Sequence, residues 1–363
     1  MHSHRYLILT EGHLGPHTSK TANSAIRYLP ERVAGVLDST QAGRTTGEVI
    51  GLGDEIPIVG TMDQGLALTP APTALLIGIA PAGGMLPDEW RPLLRQAMDA
   101  KLDIVSGLHV YLSDDAELSA HAAARGVKLF DLRKPPEDLS VSRGLAAHVE
   151  PLVVHTVGTD CNIGKMTTAL ELRDALAASG TRVSLAPTGQ TGILIEGWGI
   201  AVDAVIADFI AGAAERLVLQ AAEGNDVVLV EGQGSLVHPA YSGVTLGLLH
   251  GSLPDAMIIC HKPSRVSPYG GNGAYDWMRI PDIREMITII EGAIRPLRES
   301  RVIGIALNTW GMSDEEARAE IDRLRAETGL PVTDVVRYDA TPLVDAMNAA
   351  RERKRAARAA ATA

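Results

Sequence analysis

A chain of 363 residues can hold two domains with their own cores, since domains typically run to roughly 100–200 residues. With 46% apolar and 21% charged residues it has the composition of an ordinary globular protein, and a net charge of −11 argues against a nucleic-acid partner, because no basic surplus is available to neutralise phosphates. No stretch approaches the ~20 apolar residues of a membrane span, residues 1–16 hold no apolar run of signal-peptide length, and Cys161 and Cys260 are too few for a disulfide framework. No membrane partner and a cytoplasmic location are therefore expected.

In the first half, short apolar runs alternate with amphipathic stretches, which predicts an α/β domain with a mainly parallel sheet. Strands are expected at residues 6–9, 33–37, 56–59, 73–79, 103–106 and 127–130, with helices at 19–29 and 88–100. The turn Ala80-Pro81-Ala82-Gly83-Gly84 follows a buried strand, where a doubly wound sheet places a ligand-facing loop. The pattern is Rossmann-like but lacks Gly-x-Gly-x-x-Gly; Glu11-Gly12-His13-Leu14-Gly15 is a partial echo, and Asp38 stands where an acidic ribose reader would sit. Lys20, Thr21, Arg44 and Thr45 are the residues of this half expected to contact substrate. The segment Leu132-Arg133-Lys134-Pro135-Pro136-Glu137-Asp138 reads as a linker, giving a Rossmann-like domain over 1–145 and a second domain over 146–363.

The second half restarts the alternation. Strands are expected at residues 151–157, 182–186, 226–230, 256–260, 302–307 and 332–336, helices at 165–178, 202–222, 280–298 and 314–327, and a closing helix from Thr341 onward. The first of these strands runs into Gly158-Thr159-Asp160-Cys161-Asn162-Ile163-Gly164-Lys165-Met166-Thr167-Thr168, and a helix-forming run begins at once. Strand, glycine-bounded loop, Gly-Lys and helix in that order make a P-loop, in which main-chain N–H groups, the positive helix end and Lys165 converge on a phosphate. Five residues separate Gly158 from Gly164, one more than the common form, and Met166 occupies the place of the magnesium-ligating Ser/Thr. Thr167 and Thr168 are the nearby substitutes; a loop that binds phosphate without metal fits equally. No histidine–cysteine spacing suits zinc, so no metal site is expected. Cys161, near a helix N-terminus, is expected to have a lowered thiol pKa, which would open an acetyl-cysteine route.

This loop resembles that of dethiobiotin synthetase and its relatives. Glu231-Gly232-Gln233-Gly234-Ser235 at the end of a strand resembles their Glu-Gly motif, and Asn308 resembles their adenine-recognising Asn, whose amide donates and accepts along one purine edge. The whole set, with Asp208-Phe209-Ile210-Ala211-Gly212, His238-Pro239-Ala240-Tyr241, His261-Lys262-Pro263 and Ser19-Lys20-Thr21-Ala22, is more similar to the D-glutamate N-acetyltransferases, a P-loop family formerly known only as a domain of unknown function. The blocks span both halves.

That resemblance implies acetyl transfer from acetyl-CoA to the amino group of D-glutamate. Acetyl-CoA carries a 3′-phospho-ADP unit that the loop and Asn308 would hold without metal. Transfer needs a base for the ammonium, donors for the oxyanion and cations for two carboxylates. Glu231 is the first candidate base and His238 the alternative. Asp208, in an apolar run and one helical face with Glu215, is a third catalytic candidate. Lys262, Arg265 and Arg279, with Lys20, are the candidate carboxylate-binding cations, and residues 264–273 a candidate flap. An ATP-dependent, dethiobiotin synthetase-like ligase or kinase acting on a small carboxylate with ATP and Mg2+ is the alternative, and a non-catalytic nucleotide sensor a third reading. A small acidic amino acid is the expected partner, and a homo-oligomer the expected assembly.

Overall fold

The structure is a computed structural model that describes residues 3–16, 18–79 and 84–362. Residues 80–83 of the expected ligand-facing turn lie outside the described residues. Six strands, β1 (Tyr6–Leu9), β2 (Val33–Leu37), β3 (Ile58–Val59), β4 (Ala74–Ile77), β5 (Asp103–Ser106) and β6 (Leu129–Asp131), form a parallel sheet in the order β3-β2-β1-β4-β5-β6. This is the doubly wound Rossmann order. Its helices are α1 (Lys20–Tyr28), α2 (Thr46–Ile50), α3 (Met62–Leu66), α4 (Arg91–Asp99) and α5 (Ala116–Arg125). β1, β2 and β4 are buried at every residue, because helices cover both faces of a parallel sheet and remove the need for polar alternation. Leu7, Leu75 and Ile77 pack there with Trp90, Leu94 and Met98.

A second parallel sheet contains β7 (Leu152–Gly158), β8 (Val183–Ala186), β9 (Val227–Val230), β10 (Ala256–His261), β11 (Arg301–Leu307) and β12 (Val332–Thr333), ordered β12-β11-β10-β7-β9-β8. The chain after β7 and its helix α6 (Lys165–Ala178) builds β8, then carries α7 (Gln190–Glu196) before returning through α8 (Ile210–Ala222), α9 (Ser242–Ser252), α10 (Ile283–Ile294), α11 (Asp314–Thr328) and α12 (Thr341–Thr362). β7 lies between β9 and β10, where the winding direction reverses, and its C-terminal end therefore opens into the ligand crevice of such a sheet. No helix among the described residues is long and apolar enough to cross a membrane.

Two compact units follow from the contacts: Met1–Pro135 with Gly189–Ala204, and Pro136–Thr188 with Val205–Ala363. The division falls within the Pro-containing linker and not at the expected 145/146. Residues 136–145 belong to the second unit because they pack on α8. There the Glu215 carboxylate accepts hydrogen bonds from Ser142 Oγ (3.1 Å) and the Arg143 N–H (2.9 Å) and also binds the Leu145 N–H, while Gly212 leaves room for the Ser140 carbonyl. The segment with α7 joins the first unit, where buried Arg133 binds Asp203 at 2.5 Å and Gln190 at 3.0 Å. This crossing breaks the continuous helix expected over 202–222. Short 3-10 turns at Val202–Ala204 and Ala207–Phe209 precede α8. Asp208 consequently stands exposed on a turn, and the buried carboxylate of the region is Glu215.

A Cβ at Gly212 would come 1.7 Å from the Ser140 carbonyl oxygen, whereas one at exposed Gly292 in α10 would meet nothing within 4 Å. Gly212→Ala should therefore lose about 1–3 kcal/mol of stability through overpacking, while Gly292→Ala should gain up to about 1 kcal/mol of helix propensity. Urea unfolding of the two variants checks the opposite signs.

Candidate functional site

The phosphate loop leaves β7 at Gly158 and enters α6 at Lys165. Asn162 (φ 52°) and Gly164 (φ 112°) both adopt left-handed backbone, which turns the chain tightly into α6. No side chain of the N-cap residue Gly164 answers the first-turn N–H groups of α6, the arrangement that suits an anion. Lys165 is only 6% exposed and lies across the loop, Nζ donating to the Asp160 carbonyl at 2.7 Å. Two glycines bracket its stem: a Cβ at Gly158 would come 3.1 Å, and one at Gly232 3.0 Å, from Lys165 Cδ.

Gly232 is also the point where the chain after β9 meets β7. An added Cβ would sit 1.6 Å from the Thr156 carbonyl oxygen, and the Gly232 N–H donates to Thr156 Oγ1 at 3.0 Å. The close approach explains the glycine after Glu231. Glu231 is buried at the end of β9, its Oε2 accepting the Thr188 N–H at 2.9 Å, and the Thr188 hydroxyl donates to the Glu231 carbonyl at 2.8 Å. Met166 is buried and apolar, so it offers no hard oxygen to magnesium. Thr168 is buried as well, with the Cys260 thiol donating to its Oγ1 at 3.5 Å, and so it faces β10 rather than the loop.

Asp160 organises the loop's surroundings. Fully buried, it accepts the Cys161 N–H on Oδ1 (2.8 Å) and both Arg265 Nη1 and the Tyr269 N–H on Oδ2 (2.8 Å each). His238, buried in the turn before α9, has Nε2 2.8 Å from the Tyr269 carbonyl and Nδ1 3.1 Å from the Ala240 N–H. A carbonyl only accepts and an N–H only donates, so the proton resides on Nε2 and the Nδ1 lone pair is occupied. His238 has no nitrogen open as a proton acceptor. Asp160, Cys161 and His238 bring ligating atoms within 4.8 Å of one another, a cluster the sequence spacing concealed, yet the His238 nitrogen facing Asp160, Nε2 at 3.9 Å, carries the proton a metal would have to displace.

Cys161 differs from the expected activated thiol. Burial first, and the neighbouring Asp160 carboxylate next, push its pKa up to about 11, outweighing Lys165 and Arg265. His261, hydrogen-bonded to Thr159 Oγ1 at 3.1 Å, is driven down to about 4 by burial and is neutral at physiological pH.

A cavity of 340 Å³ beside β10 brings together His261, Arg265, Arg279 and Arg323 with Asp282 and Glu327. Two expected carboxylate binders, Arg265 and Arg279, thus meet in one wall; Lys262 is half-buried in the adjoining chain. Arg323 was not legible as a lining residue, since it lies on α11, far along the chain, and is paired with Glu320 and Glu327. Asn308 stands against the loop: Nδ2 donates to the Ile163 carbonyl (3.2 Å) and Oδ1 accepts the Trp310 N–H (3.1 Å), leaving one amide hydrogen and one lone pair. Exposed Trp310, which the sequence reading passed over, follows it at the rim.

In the first unit Lys20 is exposed at the start of α1 and Thr21 is buried. Arg44 binds Gln41 and the Glu48 carbonyl, and Thr45 forms a capping box with Glu48, so both serve their own turn. Asp38 is fully buried. Burial would raise its pKa, but hydrogen bonds from Thr40, the Gly12 and Leu14 N–H groups and Thr10 hold it below the ordinary carboxylate value. Its oxygens are committed to this loop and not to a ribose.

The model of a family described as a domain of unknown function, DUF1611, C-terminal P-loop domain, matches residues 140–344, and that of the DUF1611 N-terminal Rossmann-like domain matches residues 39–135. Two relatives are each named D-glutamate N-acetyltransferase. One, from Tritonibacter scottomollicae, is 40% identical over 275 residues, covering 76% of this chain and 81% of that protein. The other, from a Pseudoalteromonas species, is 40% identical over 264 residues, covering 72% and 77%. The crystal structure of a DUF1611 family protein from Anabaena variabilis ATCC 29413 is similar with a TM-score of 0.88 and 38% identity, covering 95% of this chain and 99% of that one.

Lys165→Ala should raise the Michaelis constant for the phosphate-bearing substrate by about tenfold or more, the loss of one charge-assisted contact; steady-state kinetics with that substrate varied checks it. With the thiol near 11, about one Cys161 in a thousand is thiolate at pH 8. Iodoacetamide labelling, followed by mass spectrometry, should therefore be slow at Cys161 and Cys161→Ser should remain active.

Proposed function

We propose that this chain, which belongs to the DUF1611 family, is an N-acetyltransferase that moves an acetyl group to the amino nitrogen of D-glutamate. The observation that carries this reading is 40% identity over about three quarters of the chain to two proteins of that name. We take acetyl-CoA as the donor. A phosphate loop whose Gly-Lys is followed by a buried methionine supports a metal-independent grip on its phosphates, and the unused hydrogen and lone pair of Asn308 match the adenine edge.

The chemistry assigns the remaining roles. The D-glutamate ammonium loses a proton to a base, for which Glu231, at the loop end of β9, is the proposed group. The freed amine attacks the thioester carbon, the carbonyl oxygen becomes an oxyanion held by N–H donors, and collapse of the tetrahedral species expels the CoA thiolate, which takes up the second proton that the attacking nitrogen sheds on becoming the amide. Arg265 and Arg279 in the cavity wall, with Lys262 nearby, are the proposed partners of the two substrate carboxylates. A cytoplasmic location, where the free thiols Cys161 and Cys260 stay reduced, and a homo-oligomeric assembly belong to the same reading.

Incubation with D-glutamate and acetyl-CoA should release free thiol, and ATP with Mg2+ should yield no ADP. The opposite pattern would transfer the assignment to a ligase or kinase. Glu231→Gln should lower kcat by about 100-fold or more, as loss of a general base does, with the donor dissociation constant nearly unchanged; a fully active variant removes Glu231 from the base role.

A further inference from the structure

The loop between β10 and α10 is long and has little packing of its own. Val266, Tyr269 and Trp277 point outward, 58%, 50% and 76% exposed. Its base is closed by the Ile280 N–H bonding the Val266 carbonyl at 3.0 Å. Farther out it is gripped at one residue from two sides: the Tyr269 N–H donates to Asp160 and the Tyr269 carbonyl accepts from His238 Nε2, both at 2.8 Å. A loop with few apolar contacts takes its position from such anchors. Arg265 belongs to the same loop, stacks over the Tyr269 ring at 4.9 Å, binds Asp160 and lines the 340 Å³ cavity. The His238 ring is itself fixed, 4.5 Å from the Tyr241 ring and 5.0 Å, edge-on, from that of Tyr275.

We propose that His238 is a positioning residue: with Asp160 it latches the Tyr269 main chain and so holds Arg265 in the acceptor-side cavity. The latch itself follows from hydrogen bonds within the protein; its effect on D-glutamate rests on the acetyl-transfer reading. Asp160 is part of the phosphate loop, so the latch joins the donor-binding loop to the flap that presents the acceptor's cation. The role demands a donor at the Nε2 position.

Two substitutions separate this from proton transfer. In His238→Gln the side-chain amide nitrogen replaces Nε2 and restores the donor to Tyr269. In His238→Asn the amide oxygen replaces Nδ1 and keeps the Ala240 N–H satisfied, but the Tyr269 carbonyl loses its donor. His238→Asn should raise the KM for D-glutamate about tenfold, the cost of one unmade buried hydrogen bond, with kcat and its pH profile little changed, and His238→Gln should rescue KM. Loss of kcat in both variants together with loss of a limb of the pH profile would make His238 the base and overturn the proposal, as would wild-type kinetics in His238→Asn.

Hydrogen–deuterium exchange of the unliganded protein supplies a readout that does not depend on the substrate. Residues 264–273 should exchange faster in His238→Asn but not in His238→Gln, with β7 and α9 unchanged in both. Equal exchange in His238→Asn and wild type refutes the latch even if another acceptor proves to be the substrate. Should His238→Asn fail to fold, His238→Gln decides alone: a retained pH profile supports the proposal, and a lost limb refutes it.

Discussion

A fully buried carboxylate must have its charge answered, and that requirement at Asp160 ties the site together. Its partners are a neighbouring N–H in the phosphate loop, the Arg265 guanidinium and the Tyr269 N–H. Leaving such a charge unpaired in a low-dielectric interior costs several kcal/mol, so the phosphate loop and the loop after β10 that borders the 340 Å³ cavity are fixed by one group.

Close backbone approach is the second constraint. Gly232 lets the chain after β9 lie against the Thr156 carbonyl beside Lys165, Gly212 admits the linker carbonyl of Ser140 onto α8, and Gly251 admits that of Ala211. None of these glycines is needed for a left-handed φ; each occupies a space where a methyl group would collide with main chain. The Glu-Gly pair after β9 thus has separate duties, with the glycine setting distance and the glutamate bonding Thr188 and aligning the ends of β8 and β9.

Burial reverses chemistry that residue type alone suggests. A cysteine at a helix N-terminus is ordinarily activated, yet Cys161 is desolvated next to a carboxylate and its thiol is held protonated. A histidine ordinarily suits proton transfer at neutral pH, yet both nitrogens of His238 are committed to main-chain partners. Asp208 seemed to require a partner because its neighbours are apolar, but the local turn exposes it and Glu215 takes the buried position.

The sequence by itself determined the two parallel sheets, nearly every strand and the phosphate loop with Lys165, because unbroken apolar runs and a Gly-bounded turn into a helix are local signals that need no distant partner. The short α2, α3 and α7, the alanine-rich α5 and the glycine-rich α9 were missed, since their helical form comes from caps and packing rather than periodicity. Tertiary structure alone decided which carboxylate is buried, where the proton sits on His238, that 189–204 returns to the first unit, and that Arg265, Arg279 and Arg323 share a cavity. Those outcomes depend on which groups are desolvated together, and residues far apart in the chain acquire that relation only when the sheet and its loops close around them.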